Sequence, residues 1–229
     1  MYSCKNSPSI FAIFALIITI VSSVQSEECE LENRMISKGL IDIAAKDSSI
    51  CVEIINATSR NMLGVNMYGC LDKCYLQPQA VEKVVLAQRI LKQNHPGYSL
   101  KILEGTRPRS VQKKMFNKVK NTSLQKFVAD PIKGSMHNFG AAIDVTIIDP
   151  DGRELDMGKP DTRMILIGKS EGEIKMFFAF NRLSKQQKQN RELLKGIMLK
   201  AGFIPVSYEW WHFDAFEKKF IRNTFSIVE

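Results

Sequence analysis

The chain has 229 residues, of which 45% are hydrophobic, and a formal net charge of +8 at pH 7. This length and composition suit one domain with a substantial core, without repeats, low-complexity tracts or an internal linker. The lysines and arginines are scattered along the chain, so we expect most of them on solvated faces and expect no nucleic-acid partner.

The first 26 residues are typical of a secretory signal peptide. Lys5 supplies a positive start, residues 10–21 are apolar, and residues 24–26 resemble a small-residue cleavage site. The apolar run is short for a membrane-spanning helix. We therefore expect cleavage, which leaves residues 27–229 as an exported domain, periplasmic or secreted, with no stable membrane span. An uncleaved membrane anchor is the alternative. A basic exported protein could also bind an anionic cell-wall surface.

Four cysteines remain once Cys4 has left with the signal. In an oxidising compartment an even set predicts two disulfides, and three pairings are possible. Loop lengths favour Cys29–Cys51 and Cys70–Cys74. A metal site at Cys70 and Cys74 is the alternative. All four lie before the motifs described below, so we expect no catalytic role for them.

The hydrophobic pattern predicts both helices and strands along the rest of the chain. We expect helices over residues 78–93, 108–120 and 185–201, and strands near residues 52–55, 100–103, 141–148 and 206–212. Residues 149–152 form a turn between two strands. This order predicts a single α+β domain with a small, mainly antiparallel sheet and flanking helices.

Two separate segments carry the residues of a possible metal site. They read SMHNFGAAID at residues 135–144 and EWWH at residues 209–212. A catalytic zinc site typically takes three nitrogen or oxygen ligands and leaves a fourth position for water. Peptide hydrolysis also needs a carboxylate beside that water. His137, Asp144 and His212 are therefore candidate ligands, and Glu209 is the candidate general base.

The local patterns around these residues bear on that hypothesis. Alternation along a strand gives Asp144 a small, polar face opposite an apolar one, as a ligand facing a cleft requires. A solvated Asp on a half-buried strand is the alternative. Gly140 permits a tight turn between this strand and His137. His95 lies in a turn at residues 94–97, and we expect no metal role for it.

The second segment poses a geometric problem. In a regular strand Glu209 and His212 would face opposite sides, because an odd number of residues separates them. The aromatic residues around them nevertheless favour a strand. A bulge or a twist at the strand end would let both side chains point at one metal. The alternative is an aromatic core strand that carries an acid and an imidazole incidentally.

The pattern S-x-H-x-x-G-x-A-x-D followed by E-x-W-H resembles the signature of the zinc D-alanyl-D-alanine dipeptidases, the VanX-like family. The resemblance runs from about Val52 to about Phe216 and includes the run NRELL at residues 190–194. It implies a hedgehog/D,D-peptidase-like fold with zinc on the sheet face. It also implies one Zn2+ per chain held by the ligands His137, Asp144 and His212, with Glu209 as the base.

Three further residues correspond to positions that this family uses. An arginine before a proline stabilises the tetrahedral intermediate, which implies Arg107 in the run EGTRP; the family usually has D-x-Y-R-P there. The serine that opens the first motif, here Ser135, lies near the substrate. The family's M-G-x-x-F-D carries an Asp for the free amino group. The equivalent here is Asp161 in MGKPD, one residue short and without the Phe.

These observations predict an exported zinc dipeptidase whose partner is a short D,D-peptide, D-Ala-D-Ala above all. A D,D-carboxypeptidase or endopeptidase acting on cell-wall peptides would keep the chemistry and change the substrate, and the altered segment at residues 157–161 keeps this alternative open. A zinc-stabilised binding domain without turnover, as in hedgehog-type relatives, is the third interpretation. It would need neither Glu209 nor Arg107.

Overall fold

The structure, a computed structural model, describes residues 29–122, 124–125, 128–158, 183–207 and 209–229. The signal predicted at residues 1–26 and Asp161 lie outside these described residues. The α-helices within them are α1 Glu30–Ser37, α2 Ile43–Lys46, α3 Pro78–Asn94, α4 Arg109–Val119, α5 Lys185–Lys200 and α6 Lys218–Thr224. The strands are β1 Ile41–Asp42, β2 Cys51–Val52, β3 Tyr75–Leu76, β4 Ser99–Glu104, β5 Ala142–Ile148, β6 Ile204–Pro205 and β7 His212–Asp214.

Five of these strands form one sheet in the order β2-β4-β5-β7-β6. β2 is parallel to β4, and the other three pairings are antiparallel. β1 and β3 form a separate antiparallel pair. The prediction of a single α+β domain with a small, mainly antiparallel sheet and flanking helices is therefore confirmed. In the part of the chain that the structure describes, no helix is both long and apolar enough to cross a bilayer.

The main core lies where α3 and α5 pack beside the sheet. On α3, Val81, Val84 and Leu91 recur at helical spacing and are fully buried. Pro78 occupies the first turn of this helix, where its missing N–H costs no hydrogen bond. Each large apolar side chain buried in this way contributes about 1.5–3 kcal/mol. This burial fixes which face of the central strands is turned inward.

β4 and β5 direct their apolar side chains to the same face of the sheet. Leu100 pairs with Ile147, and Ile102 pairs with Val145. The apolar face predicted for β5 is thus confirmed, although Ala142 and Thr146 on its other face are also buried. The register shifts by one residue after Ile102, so that Glu104 pairs with Asp144. This irregularity turns Glu104 away from the apolar face and toward that of Asp144.

The strand predicted over residues 206–212 is wrong. β7 begins only at His212, where pairing with β5 starts, and residues 209–211 form a turn closed by a 3.2 Å hydrogen bond from His212 N to Glu209 O. Two of the aromatic residues that suggested a strand, Trp210 and Trp211, lie in this turn, and Phe213 lies in β7. The other predicted elements are present with ends shifted by a few residues. Residues 149–152 form the predicted turn.

Both predicted disulfide pairings are wrong. A disulfide joins Cys29 to Cys70, and Cys51 and Cys74 are free. Glu32 on α1 bonds to Lys73 and Tyr75, which brings the start of α1 to this segment. The disulfide also removes the alternative of a metal site that uses both Cys70 and Cys74.

The two free cysteines lie too far apart to pair with each other. Cys51 is opposite Lys101 near the start of β4, whereas the Cys74 sulfur packs against Gly105 just after its end. Four residues of strand span roughly 13 Å. A disulfide requires its Cα atoms to be within about 7 Å.

This arrangement predicts the thiol chemistry of residues 27–229. Non-reducing peptide mapping should recover one disulfide, Cys29–Cys70, and native alkylation should label Cys51 before Cys74, because burial raises the pKa of the Cys74 thiol. Replacing Cys70 by Ser should lower the free energy of unfolding by about 2–4 kcal/mol, and Cys51→Ser serves as the matched control. A peptide that links Cys70 to Cys74 would contradict the assignment.

Candidate metal centre

The three predicted ligands meet at one point of the fold. One ligand atom from each of His137, Asp144 and His212 lies within 4.8 Å of the others. His137 Nε2 is 3.1 Å from His212 Nδ1 and 3.3 Å from Asp144 Oδ1. His212 Nδ1 is 3.0 Å from the same carboxylate oxygen. Two imidazole nitrogens and one carboxylate oxygen form a donor set that suits Zn2+ with a fourth position left open.

The motif around His137 folds as a bounded turn of 3₁₀ helix, Met136–Phe139. Ser135 caps its start: the serine hydroxyl accepts a hydrogen bond from His137 N, and Asn138 completes a capping box. Gly140 ends it in the left-handed conformation with φ of 69°. A Cβ at Gly140 would lie 3.0 Å from the Thr106 hydroxyl. The prediction that Gly140 serves a tight turn and a close approach is confirmed.

Strand pairing supplies the other two candidate ligands. Asp144 on β5 lies directly opposite His212 on β7, and residues opposite each other on neighbouring strands share a face of the sheet. Val145 N donates to Trp211 O over 2.9 Å and continues the contact into the turn before β7. The register between these strands therefore sets the separation of the two side chains.

Each imidazole has a hydrogen-bond partner on the side away from the cluster. His137 Nδ1 lies 2.8 Å from Gly105 O, which fixes its proton on Nδ1 and leaves the Nε2 lone pair for a metal. His212 Nε2 lies 3.0 Å from the buried Asp214 carboxylate, which leaves Nδ1 for a metal. Sequence reasoning missed Asp214. Its signal was the spacing His-x-Asp, which puts both side chains on one face of a strand.

Charge within the cluster favours the ionised form of Asp144 and the protonated form of His212, whose Nδ1 proton a bound metal would displace. Burial opposes ionisation of Asp144, but the charges and hydrogen bonds of His137 and His212 outweigh it and hold the pKa of this carboxyl well below its usual range. Burial also disfavours the charged form of His212. Hydrogen bonds to Asp144 and Asp214 outweigh that effect and raise the pKa of His212 to about 10.

Glu209 stands at the edge of the cluster. Its Oε2 is 3.8 Å from His212 Nδ1, and the turn before β7, rather than the predicted bulge or twist of a strand, brings both side chains to one side. Burial raises the pKa of Glu209, and the positive charge of His212 partly opposes this shift. A carboxylate with a raised pKa beside a metal position can both accept and release a proton.

Arg107 lies between β4 and α4, and its main chain is bonded to the first motif. Arg107 N donates to His137 O over 3.0 Å, and Asn138 Nδ2 donates to Arg107 O over 2.7 Å. Its Nη1 donates to Gln112 Oε1 over 3.0 Å, and its Nε lies 3.5 Å from Glu104 Oε1. Burial lowers the pKa of Arg107, but the anionic groups around it raise it further overall, so the guanidinium stays charged.

The remaining predicted residues are placed as follows. Ser135 is the cap of the 3₁₀ turn described above and lies two residues before His137. His95 follows the last residue of α3, and its ring centroid lies 5.2 Å from that of Tyr98. Asp161 lies outside the described residues. Glu104 occupies the position three residues before Arg107, where the resembled family has Asp, and it places a carboxylate beside the arginine.

Comparison with known proteins adds independent findings. The D-ala-D-ala dipeptidase family profile matches residues 37–228. A D-alanyl-D-alanine dipeptidase of Escherichia coli is 30% identical over 175 residues, which cover 76% of this chain and 83% of that protein. Dipeptidases of the same description from Synechocystis and Enterococcus faecium are 33% and 36% identical over 95 and 80 residues, roughly a third of each chain compared.

The geometry predicts how metal binding responds to substitution. Asp144→Ala should abolish tight binding of one Zn2+ per chain, measured by competition with a chromophoric chelator. Asp214→Asn should lower the affinity by about 10-fold to 100-fold, because His212 loses the charge that orients its ring. His95→Ala should leave binding unchanged. Equal affinities for the Asp214→Asn variant and the wild type would refute this role of Asp214.

Proposed function

The chain belongs to the D-Ala-D-Ala dipeptidase family, and from this premise we propose that it is a zinc-dependent dipeptidase that hydrolyses D-Ala-D-Ala or a closely similar D,D-dipeptide. The observation that most supports this activity is the position of Glu209 beside the cluster of His137, Asp144 and His212. A structural metal site would need no carboxylate in that position.

In the proposed mechanism His137, Asp144 and His212 would hold one Zn2+, with the two histidine rings oriented by Gly105 O and by Asp214. When bound, this ion supplies Lewis-acid chemistry that polarises a carbonyl and acidifies water. His137 presents Nε2 and His212 presents Nδ1, because hydrogen bonds occupy the opposite nitrogen of each ring. The two histidines favour the anionic form of Asp144, because their charges and hydrogen bonds hold its pKa well below the usual range.

Glu209 is the proposed general base. It takes the proton from the attacking water and passes it to the departing amine, and its raised pKa suits a group that accepts a proton and then returns it. Arg107 is the proposed oxyanion partner. Its buried, permanently charged guanidinium offers a rigid fork of donors to the negative charge that develops on the carbonyl oxygen.

Substrate recognition completes the proposal. By correspondence with the family motifs, Asp161 is assigned the role of binding the free amino group of the dipeptide. Ser135 is assigned, in the same way, to a position near the substrate. The same correspondence supports a hedgehog/D,D-peptidase-like arrangement with zinc on the sheet face. Residues 1–26 are assigned as a signal removed on export. The Cys29–Cys70 disulfide supports an oxidising compartment for the mature domain.

The substrate assignment is tested with zinc-loaded residues 27–229. Alanine release is followed from D-Ala-D-Ala, L-Ala-L-Ala and a pentapeptide that ends in D-Ala-D-Ala. We expect turnover of the D,D-dipeptide alone, abolished by a chelator. Preference for the pentapeptide would replace the proposal with a cell-wall carboxypeptidase. Zinc binding without any cleavage would leave a non-catalytic binding domain.

The assignment of the base is tested with Glu209→Gln. This variant should bind Zn2+ like the wild type but lose about 10²-fold to 10⁴-fold in kcat, the usual contribution of a positioned proton-transfer group. Glu217→Gln is the matched control, because it makes the same chemical change at an exposed residue eight positions further along the chain. Full activity in Glu209→Gln would show that another group takes the proton.

A further inference from the structure

A buried polar cluster lies behind Arg107, outside the sequence motifs. Tyr68 is 3% exposed and Glu104 is 2% exposed, although Glu104 carries a carboxylate. The side chain of Arg107 is also mostly buried. Buried charges are costly unless they are paired and hydrogen-bonded. The contacts within this cluster therefore matter for the position of each member.

Both oxygens of Glu104 are engaged. Oε1 accepts a hydrogen bond from the Tyr68 hydroxyl and lies 3.5 Å from Arg107 Nε, whereas Oε2 accepts from Asn56 Nδ2. The Tyr68 hydroxyl is also 3.4 Å from Thr106 O, one residue before Arg107. Tyr68 is thus in contact with the carboxylate that faces the arginine and with the chain that leads into it.

The sheet places this cluster beside the candidate metal centre. The register shift after Ile102 pairs Glu104 with the candidate ligand Asp144, and Arg107 N bonds to His137 O. Any displacement of the Arg107 side chain is therefore a displacement relative to the ligands. Arg107 can stabilise the negative charge that develops on the carbonyl oxygen only if its guanidinium points toward the reacting carbonyl and away from Glu104.

Glu104 and Arg107 form an ion pair, but Arg107 Nε makes no hydrogen bond to the carboxylate, and the Tyr68 hydroxyl accounts for this. This hydroxyl satisfies Oε1 of Glu104, so the carboxylate needs no direct hydrogen bond from the arginine, whose Nε remains at 3.5 Å. Without this hydroxyl the carboxylate would draw the guanidinium into a close ion pair, because a buried anion left unsatisfied is costly. The arginine would then be held by Glu104 and turned from the substrate.

We propose that Tyr68 is a positioning residue for Arg107: its hydroxyl occupies Glu104 and leaves the guanidinium available to the developing oxyanion. This inference rests on the proposed function of Arg107. The segment between β2 and β3 delivers the contact. Met67 N donates to Asn56 O over 2.8 Å, so the two side chains that donate to Glu104, Asn56 and Tyr68, come from neighbouring parts of one loop. The Cys29–Cys70 disulfide fixes that loop two residues beyond Tyr68.

The kinetic test uses Tyr68→Phe, which removes the hydroxyl and keeps the ring. With zinc-loaded residues 27–229 and D-Ala-D-Ala we expect kcat to fall about tenfold or more, in line with the loss of one hydrogen bond to a charged group. KM and zinc content should stay unchanged, because the affected contact forms in the transition state. Tyr75→Phe is the matched control, since the Tyr75 hydroxyl bonds to another carboxylate, Glu32, over 2.6 Å.

A double-mutant cycle separates positioning from general destabilisation. In the Arg107→Ala background, Tyr68→Phe should cause no further loss of kcat, since the residue that it positions is absent. Equal losses in both backgrounds would overturn the proposal and leave Tyr68 with a structural role. Thermal unfolding of each variant accompanies the cycle.

A second readout does not depend on turnover. The Arg107 Nε–H signal in ¹H–¹⁵N spectra of the zinc-loaded protein, assigned by its loss in Arg107→Ala, should shift in Tyr68→Phe and stay in place in Tyr75→Phe. An unchanged signal in Tyr68→Phe overturns the proposal whether or not any dipeptide is cleaved. A wild-type protein that cleaves no substrate would refute the proposed function alone, and the spectra would still decide the position of Arg107.

Discussion

The pairing of three strands in fixed register is the constraint on which the rest of the site depends. β7 meets β5 with His212 opposite Asp144, and β4 meets β5 with Glu104 opposite the same aspartate after a one-residue shift. A slip of one residue would send one member of each pair to the other face of the sheet. Burial of Ile143 and Phe213 beside these pairs prevents such a slip, because either side chain would then leave the core. Hydrophobic packing thus determines the geometry of the polar groups.

A second constraint on the site is that each of its buried carboxylates needs a partner. Asp144 lies between His137 and His212, Asp214 accepts from His212, and Glu104 is shared among Tyr68, Asn56 and Arg107. Each of these buried carboxylates therefore has hydrogen-bond or ion-pair partners inside the fold, which offset the cost of removing it from water. Such clusters add little to the free energy of unfolding. Removing one partner is nevertheless strongly destabilising, because it leaves a buried charge without compensation. The site is consequently specific in shape and sensitive to substitution.

The sequence predicted those parts of the fold and the site that depend on local pattern. Helical spacing of Val81, Val84 and Leu91 predicted α3, and alternation around Asp144 predicted β5. The grouping of His137 with His212 rested on their residue types and on the motif resemblance, because spacing alone cannot show that residues 75 positions apart meet. The strand at residues 206–212 was mispredicted because pairing with β5, which no local pattern reveals, decides where β7 begins. The cysteine partners failed for the same reason, since loop length says nothing about the path that brings Cys29 to Cys70.

The segment between β2 and β3 shows how a region without motifs can still serve the site. It contains little regular structure, and its turns depend on side chains such as Asn61 and Asn66, which bond to nearby backbone groups. Ordering such a segment costs chain entropy, which is opposed by the burial of Ile54, Met67 and Leu71 in the main core and by the anchoring of its ends. Strand β2 anchors one end and the Cys29–Cys70 disulfide anchors the other. Tyr68 lies beside the second anchor, so the covalent bond that stabilises the amino-terminal region also limits the freedom of the hydroxyl that faces Glu104. Stability of the loop and orientation of Arg107 therefore have a common physical origin.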